Sequence, residues 1–419
     1  MGRLVLLLAA LALAGSSAAA AKPRTITVRN AKGFTHAAAK LRRSGGTIVL
    51  RPGAYASLSL GPRGKRPLRV VGDGDVRVGR FELFRTRNVS IGNLRIGPVA
   101  GDAELELDGA SNIDLGALTV TAEGTWNSAS IFIASAHNVH IHDSTFTHCG
   151  DRSRDFANCI LMNRGADSVV IEHNRFHDCH GCDFVHGRFG SWLTIRDNRF
   201  DRALPCHHIT SYRCRHNDLV QLFAGQHLRV ERNHFGIYRA GGAQLYITDD
   251  VDYATIVNNV FVGTDPVLPG YRARVAMVIG ARESKRLPYY ARVINNTILT
   301  GYRRRDGYEG SIRMSSAYGG IPLWKRPIIA NNIIALLRTH WPVCATAQQF
   351  LANIVMTGIN CQHDGYVGDA DLDAEGRPNA ESIVIGAANR DLAPPLDFSG
   401  RRRDADPDIG AYESLPTAR

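Results

Sequence analysis

The sequence predicts an all-β solenoid, one elongated array of short strands stacked coil upon coil. Two observations carry this expectation. Residues 182–200 read CDFVHGRFGSWLTIRDNRF, and residues 217–235 read NDLVQLFAGQHLRVERNHF, so the chain repeats one line with substitutions. Within each line apolar and polar residues alternate with a period of two, the signature of a strand. A helical or leucine-rich repeat would need a period of 3.6, and none is present.

The repeat extends well beyond those two lines. With Ile195 as anchor, Asn follows three residues later and Phe five later; the same offsets recur as Ile171/Asn174/Phe176, Val230/Asn233/Phe235 and Ile256/Asn259/Phe261. They continue as Val293/Asn296/Ile298, Ile329/Asn332/Ile334 and Phe350/Asn353/Val355, with weaker copies at Ile91, Leu115 and Ile141. The ten anchors are separated by 24, 26, 30, 24, 35, 26, 37, 36 and 21 residues. Strands this short bury a face only by stacking on the coil above and below. The recurrent Asn suits such a stack, because its amide donates to one coil and accepts from the next.

Taken in chain order, residues 1–21 are expected to be a signal peptide. Arg3 is followed by an eleven-residue apolar run from Leu4 to Ala14 and then by the small residues GSSAAAA. The run is too short to span a bilayer, and no later segment reaches about 18 apolar residues. Residues 22–60 are read as an N-terminal strand and a capping helix around 35–43, residues 61–361 as the repeats, and residues 362–419 as an irregular tail covering the far end. The 419 residues are 44% hydrophobic, enough for a sizeable core. The net charge of +11 attracts polyanions, which outside a cell are mostly acidic polysaccharides. A nucleic-acid partner does not suit an exported chain, and a monomer is expected.

Three segments make the likeness specific. FTHAAAKLRRSGGTIVLRPGAY at residues 34–55, the Asn column and DPDIGAYE at residues 406–413 together resemble the pectin-lyase-like superfamily of right-handed parallel β-helices. That superfamily includes polysaccharide lyases, uronan epimerases and polysaccharide hydrolases. The resemblance covers nearly the whole mature chain; it implies the fold and leaves the activity open. HNDLVQ, at residues 216–221, resembles a short signature of exported bacterial β-helix proteins.

Eight cysteines fit an oxidising compartment. Cys149 and Cys179 lie eight residues beyond their anchors, and Cys182 and Cys206 eleven beyond theirs, so each pair is expected to face across adjacent coils. Cys344 and Cys361 are expected to close a loop. Cys159 and Cys214 have no register argument; a Cys206–Cys214 bond would leave Cys182 for Cys159.

Function on such a solenoid sits on the outward side of one sheet, walled by long turns. Counting back from the anchors aligns Asp183 with Asp218, between Cys159 and Gln244, and aligns Met162, His186, Gln221 and Ile247. The oversized coils insert segments rich in Tyr and Arg, which suit sugar rings and carboxylates. Candidate catalytic residues are His186, His216, Arg188 and Arg213. Candidate substrate-binding residues are Gln221, His207, Tyr271, Arg272, Arg274, Tyr290 and Arg304, and Asp183 with Asp218 is a candidate Ca²⁺ pair. The expected activity is β-elimination on a uronic-acid polymer, a base removing the C5 proton while cations neutralise the carboxylate. A C5-epimerase, a hydrolase and a non-catalytic polysaccharide-binding protein are the alternatives. Hydrolysis needs two carboxylates about the glycosidic oxygen, and no Asn-Thr-Asp or Arg-Ile-Lys element is present.

Overall fold

The computed structural model describes residues 24–99, 104–121, 129–149, 157–204, 218–236, 242–262, 275–280, 286–300, 311–337, 343–358, 361 and 366–414. Among these residues 29 strands form one continuous parallel sheet system that winds into a β-helix. All ten anchors stand in one vertical register on what we call sheet A. The column runs Ile91↔Leu115↔Ile141↔Ile171↔Ile195↔Val230↔Ile256↔Val293↔Ile329↔Phe350. It also continues below Ile91 through Val70, Ile48 and Ile26, three rungs whose sequence lacks the Asn-x-Phe mark. Sheet B follows the Asn turn, and sheet C completes the coil and leads back to sheet A.

The Asn column is internal, as the offsets predict. Each amide nitrogen donates to the Oδ1 of the next Asn, at 3.1 Å from Asn174 to Asn198 and 3.0 Å from Asn198 to Asn233, and the ladder continues through Asn259, Asn296 and Asn332 to Asn353. Ser144 takes the Asn place one coil earlier: its N–H donates to Asn174 Oδ1, and its hydroxyl accepts from Leu118 N–H. Beside the amides Phe146, Phe176, Phe200, Phe235 and Phe261 stack face to face, with centroids 4.5–5.1 Å apart. Fully buried rings at this spacing anchor the sheet B side of the core.

Helix Ala31–Leu41 closes the N-terminal end and buries Phe34, Ala37 and Leu41. It begins four residues before the expected position, because Asn30 caps it by accepting the Gly33 N–H at 2.8 Å. Among the described residues no helix is long and apolar enough to cross a membrane.

The tail corrects another expectation. It does not only cover the far end but runs back along the A–B edge of the solenoid. There the sequence writes Asn twice, at 258–259, 295–296 and 331–332. The second Asn of each pair joins the internal column. The first turns outward in a left-handed conformation, φ 54°, 52° and 57°. Its amide donates to a tail carbonyl: Asn258 to Leu396, Asn295 to Asp408 and Asn331 to Asn389. Arg403, only 7% exposed, fastens the segment DIGAYE by pairing with Glu413 at 2.7 Å and donating to Asn258 Oδ1 at 3.0 Å.

Two disulfide expectations need comment. Cys149 bonds Cys159, not Cys179, and Cys182 bonds Cys179, not Cys206. The coil register behind the expectation holds, since Phe146↔Phe176 and Thr147↔His177 pair as counted. The bonds nevertheless close the B–C turn within each coil, joining Cα atoms 5.0 and 5.8 Å apart. Cys344–Cys361 forms as expected, while Cys206 and Cys214 lie outside the described residues.

Candidate active site

The site is built on the outward side of sheet C, where Leu161, His186, Gln221, Tyr246, Val278 and Arg313 stand in register. His186 and Gln221 align as counted, but their neighbours are Leu161 and Tyr246 rather than Met162 and Ile247. Likewise Asp183 faces Asn158, not Cys159. Register shifts between Met162 and Ala166 and between Phe223 and Gly225 put counting from the anchor out of phase by one residue.

His186 is held firmly. Its Nδ1 lies 2.6 Å from Asp183 Oδ2, and the imidazole meets the Phe223 ring edge-on at 5.2 Å. Asp183 is 1% exposed, and its Oδ1 accepts the Asp218 N–H at 2.7 Å. The carboxylate is thus fixed by the next coil, and it fixes the imidazole in turn. Asp183 therefore sets the orientation of the His186 ring through Nδ1. Gly187 permits this placement: at φ 129° a Cβ would meet the Met162 carbonyl oxygen at 2.0 Å, so the strand passes too close for any side chain. Arg188, exposed, lays its guanidinium over Phe223 at 5.2 Å on the same face.

Asp183 and Asp218 do not fit the expected Ca²⁺ pair. Both are buried inside the coil, and the Oδ1 of each accepts a backbone N–H of the next rung, Asp218 N–H and Ala243 N–H respectively. Calcium takes six to eight oxygen ligands, whereas here one oxygen of each carboxylate is spent on the backbone and the other oxygen of Asp183 on His186. Gln221 is 3% exposed, so it supports the face more than it presents itself. His207, Arg213, His216, Tyr271, Arg272, Arg274 and Arg304 lie outside the described residues.

Tyr290 belongs to a different surface. It stands in a stack at the C–A edge: Trp192, His227, Tyr253 and Tyr290 follow one another with centroids 4.1, 5.1 and 4.7 Å apart, and Trp324 tilts against Tyr290 at 5.9 Å. Trp192 and Trp324 are about 60% exposed. The first four residues share a positive φ of 55–61°, an uncommon conformation for large side chains. Sequence reasoning missed this edge, although the signal was there, since each of the four lies three residues before an anchor.

No protein-family model and no curated protein matches this chain. Among solved structures it is similar to PfbA, a surface adhesin of Streptococcus pneumoniae, at 12% identity, covering 78% of this chain and 86% of that one, with a TM-score of 0.50. The likeness is one of fold. Weaker similarity reaches an alginate lyase from Paenibacillus sp. str. FPU-7, at 13% identity over 70% and 98% of the two chains, TM-score 0.43. A mannuronic acid specific polysaccharide family 6 lyase from human gut microbiota follows at 11% identity over 78% and 91%, TM-score 0.40.

Proposed function

We propose that this chain is an exported, polysaccharide-acting enzyme of the pectin-lyase-like kind, and that it cleaves a uronic-acid polymer by β-elimination. The observation that supports this most is the Asp183–His186 pair at 2.6 Å on the outward side of sheet C, with Arg188 on the same face. Asp183 holds the imidazole in one tautomer and offsets the charge that proton uptake creates. In the reaction His186 Nε2 takes the C5 proton, the C–H electrons form the C4=C5 bond, and the C4–O4 bond breaks as O4 takes a proton from water, whose hydroxide then recovers the proton from the imidazolium. Arg188 pairs with the substrate carboxylate, whose charge otherwise opposes carbanion character at C5. Arg213 and His216, carried by the segment entering the next sheet C strand, are proposed to complete the cleft.

The test follows unsaturated products by absorbance near 230 nm on pectate, alginate, chondroitin sulfate and heparin, with chelator and with added Ca²⁺. Once a substrate is found, His186→Gln is expected to lower turnover by about a hundredfold, the usual loss for a general base. Full turnover by a folded His186→Gln protein would remove His186 from the mechanism. A second reading, a non-catalytic polysaccharide-binding solenoid, is favoured by the exposed stack from Trp192 to Trp324. It predicts binding without product, lost in Trp192→Ala and retained in His186→Gln.

A further inference from the structure

Sheet A carries a second cluster, apart from His186 on sheet C. His140 and His142, in the strand His137–His142, are two residues apart and so point to one side. Asp114 pairs with His140 in the rung below. Asp114 Oδ1 lies 3.3 Å from His140 Nδ1 and 3.1 Å from His142 Nε2. The outer nitrogen of each ring also has a carboxylate: His140 Nε2 is 2.7 Å from Glu172 Oε1, and His142 Nδ1 is 2.7 Å from Asp143 Oδ2.

Hydrogen bonding alone cannot satisfy this arrangement with neutral rings. Four ring nitrogens face four carboxylate contacts, but two neutral imidazoles have only two N–H groups. If these go to Glu172 and Asp143, the lone pairs of His140 Nδ1 and His142 Nε2 point at the Asp114 oxygen. The rings are stacked 4.3 Å apart, with one nitrogen of each turned to the same Asp114 oxygen, and these three donor atoms all lie within 4.8 Å of one another.

We propose that Asp114, His140 and His142 bind a divalent transition-metal ion, zinc by ligand type. Ligands of a tetrahedral zinc at about 2.0–2.1 Å stand about 3.3 Å apart; Asp114 Oδ1 stands 3.1 and 3.3 Å from the two nitrogens, and all three donor atoms lie within 4.8 Å of one another. Glu172 and Asp143 supply the outer carboxylates that orient ligating histidines. The three carboxylates outweigh Arg196, which pairs with Glu172, so the local charge balance favours a dication. Gly116 provides the room: a Cβ there would meet His142 Cε1 at 2.5 Å. Three protein ligands leave a fourth position for water or a ligand atom, and the ion joins successive coils.

The experiment titrates the purified, metal-stripped full-length protein with Zn²⁺ by calorimetry and with Co²⁺ by visible absorption. One site with micromolar or tighter affinity is expected, with the intense d–d bands of four-coordinate Co²⁺ and a raised Tm. The double variant His140→Gln/His142→Gln should weaken the site at least a hundredfold, Asp114→Asn should weaken it at least tenfold, and His173→Gln on the next coil should leave it unchanged. All of these side chains are at least partly exposed, and circular dichroism confirms each variant's fold. Binding no tighter than millimolar, or binding that survives the double variant, overturns the proposal, as does a six-coordinate Co²⁺ spectrum insensitive to Asp114→Asn.

Discussion

Replacing Asn233 with Ala tests the internal column where it is most completely defined. Asn233 Nδ2 donates to the Ile195 carbonyl at 2.8 Å and to Asn259 Oδ1 at 3.0 Å. Its Oδ1 accepts from Asn198 N–H at 3.1 Å and from Asn198 Nδ2 at 3.0 Å. Truncation removes all four bonds. Two of the abandoned groups keep a partner: Asn198 Nδ2 still reaches the Ile171 carbonyl, and Asn259 Oδ1 still accepts the Asn233 N–H. The Asn198 N–H and the Ile195 carbonyl lose the partner that the column gives them. A buried polar group left unsatisfied costs about 1–3 kcal/mol, so the loss is about 2–6 and centres near 4 kcal/mol. With an unfolding entropy of about 2.1 cal/mol/K per residue, that lowers the Tm by about 5 °C. The control is the outer Asn ladder, where Asn112 donates to Asn88 and accepts from Asn138 while exposed to water. Asn112→Gly keeps its φ of 53° and is expected to cost under about 1 kcal/mol. Urea unfolding followed by circular dichroism compares the two. An Asn233→Ala protein that loses no more than Asn112→Gly would refute the account of the column as a buried, mutually satisfying ladder.

Two further outcomes follow from buried groups. Arg403→Met strands Glu413, which is 5% exposed, and should cost about 3–5 kcal/mol while freeing the tail, so limited proteolysis should cut within residues 366–414 before the coils. An unchanged digestion pattern would show that the tail is held by its other contacts. His234 titrates below its ordinary 6.5 because burial disfavours the imidazolium, with Arg199 adding repulsion. Its folded value is depressed, so its contribution is present above pH 6.5 and lost as pH falls through the folded value. His234→Gln should therefore flatten the stability loss between about pH 7 and pH 5, and an identical acid slope in both proteins would rule His234 out as its source.

Whatever repeats from coil to coil could be read along the chain. A solenoid is nearly one-dimensional, so a residue's vertical neighbour is the residue at the same offset in the next unit. That is why the ten anchors, the Asn column and the Phe stack were all legible, and why His186 and Gln221 could be aligned. Contacts across the corners could not. Bulges within sheet C break the count, so Leu161 and Tyr246, not Met162 and Ile247, flank the His186–Gln221 pair. Asp183 and Asp218 have the offsets of a surface pair, yet the turn folds them inward onto backbone N–H groups. The cysteines chose partners around a corner over partners in the next coil. Asp114, His140 and His142 met only because strand alternation turned all three to one side, and a tail more than a hundred residues downstream settled on Asn258 and Asn295. Offsets along the chain encode stacking, whereas which way a side chain points after a bend, and what folds back upon it, are set by packing in three dimensions.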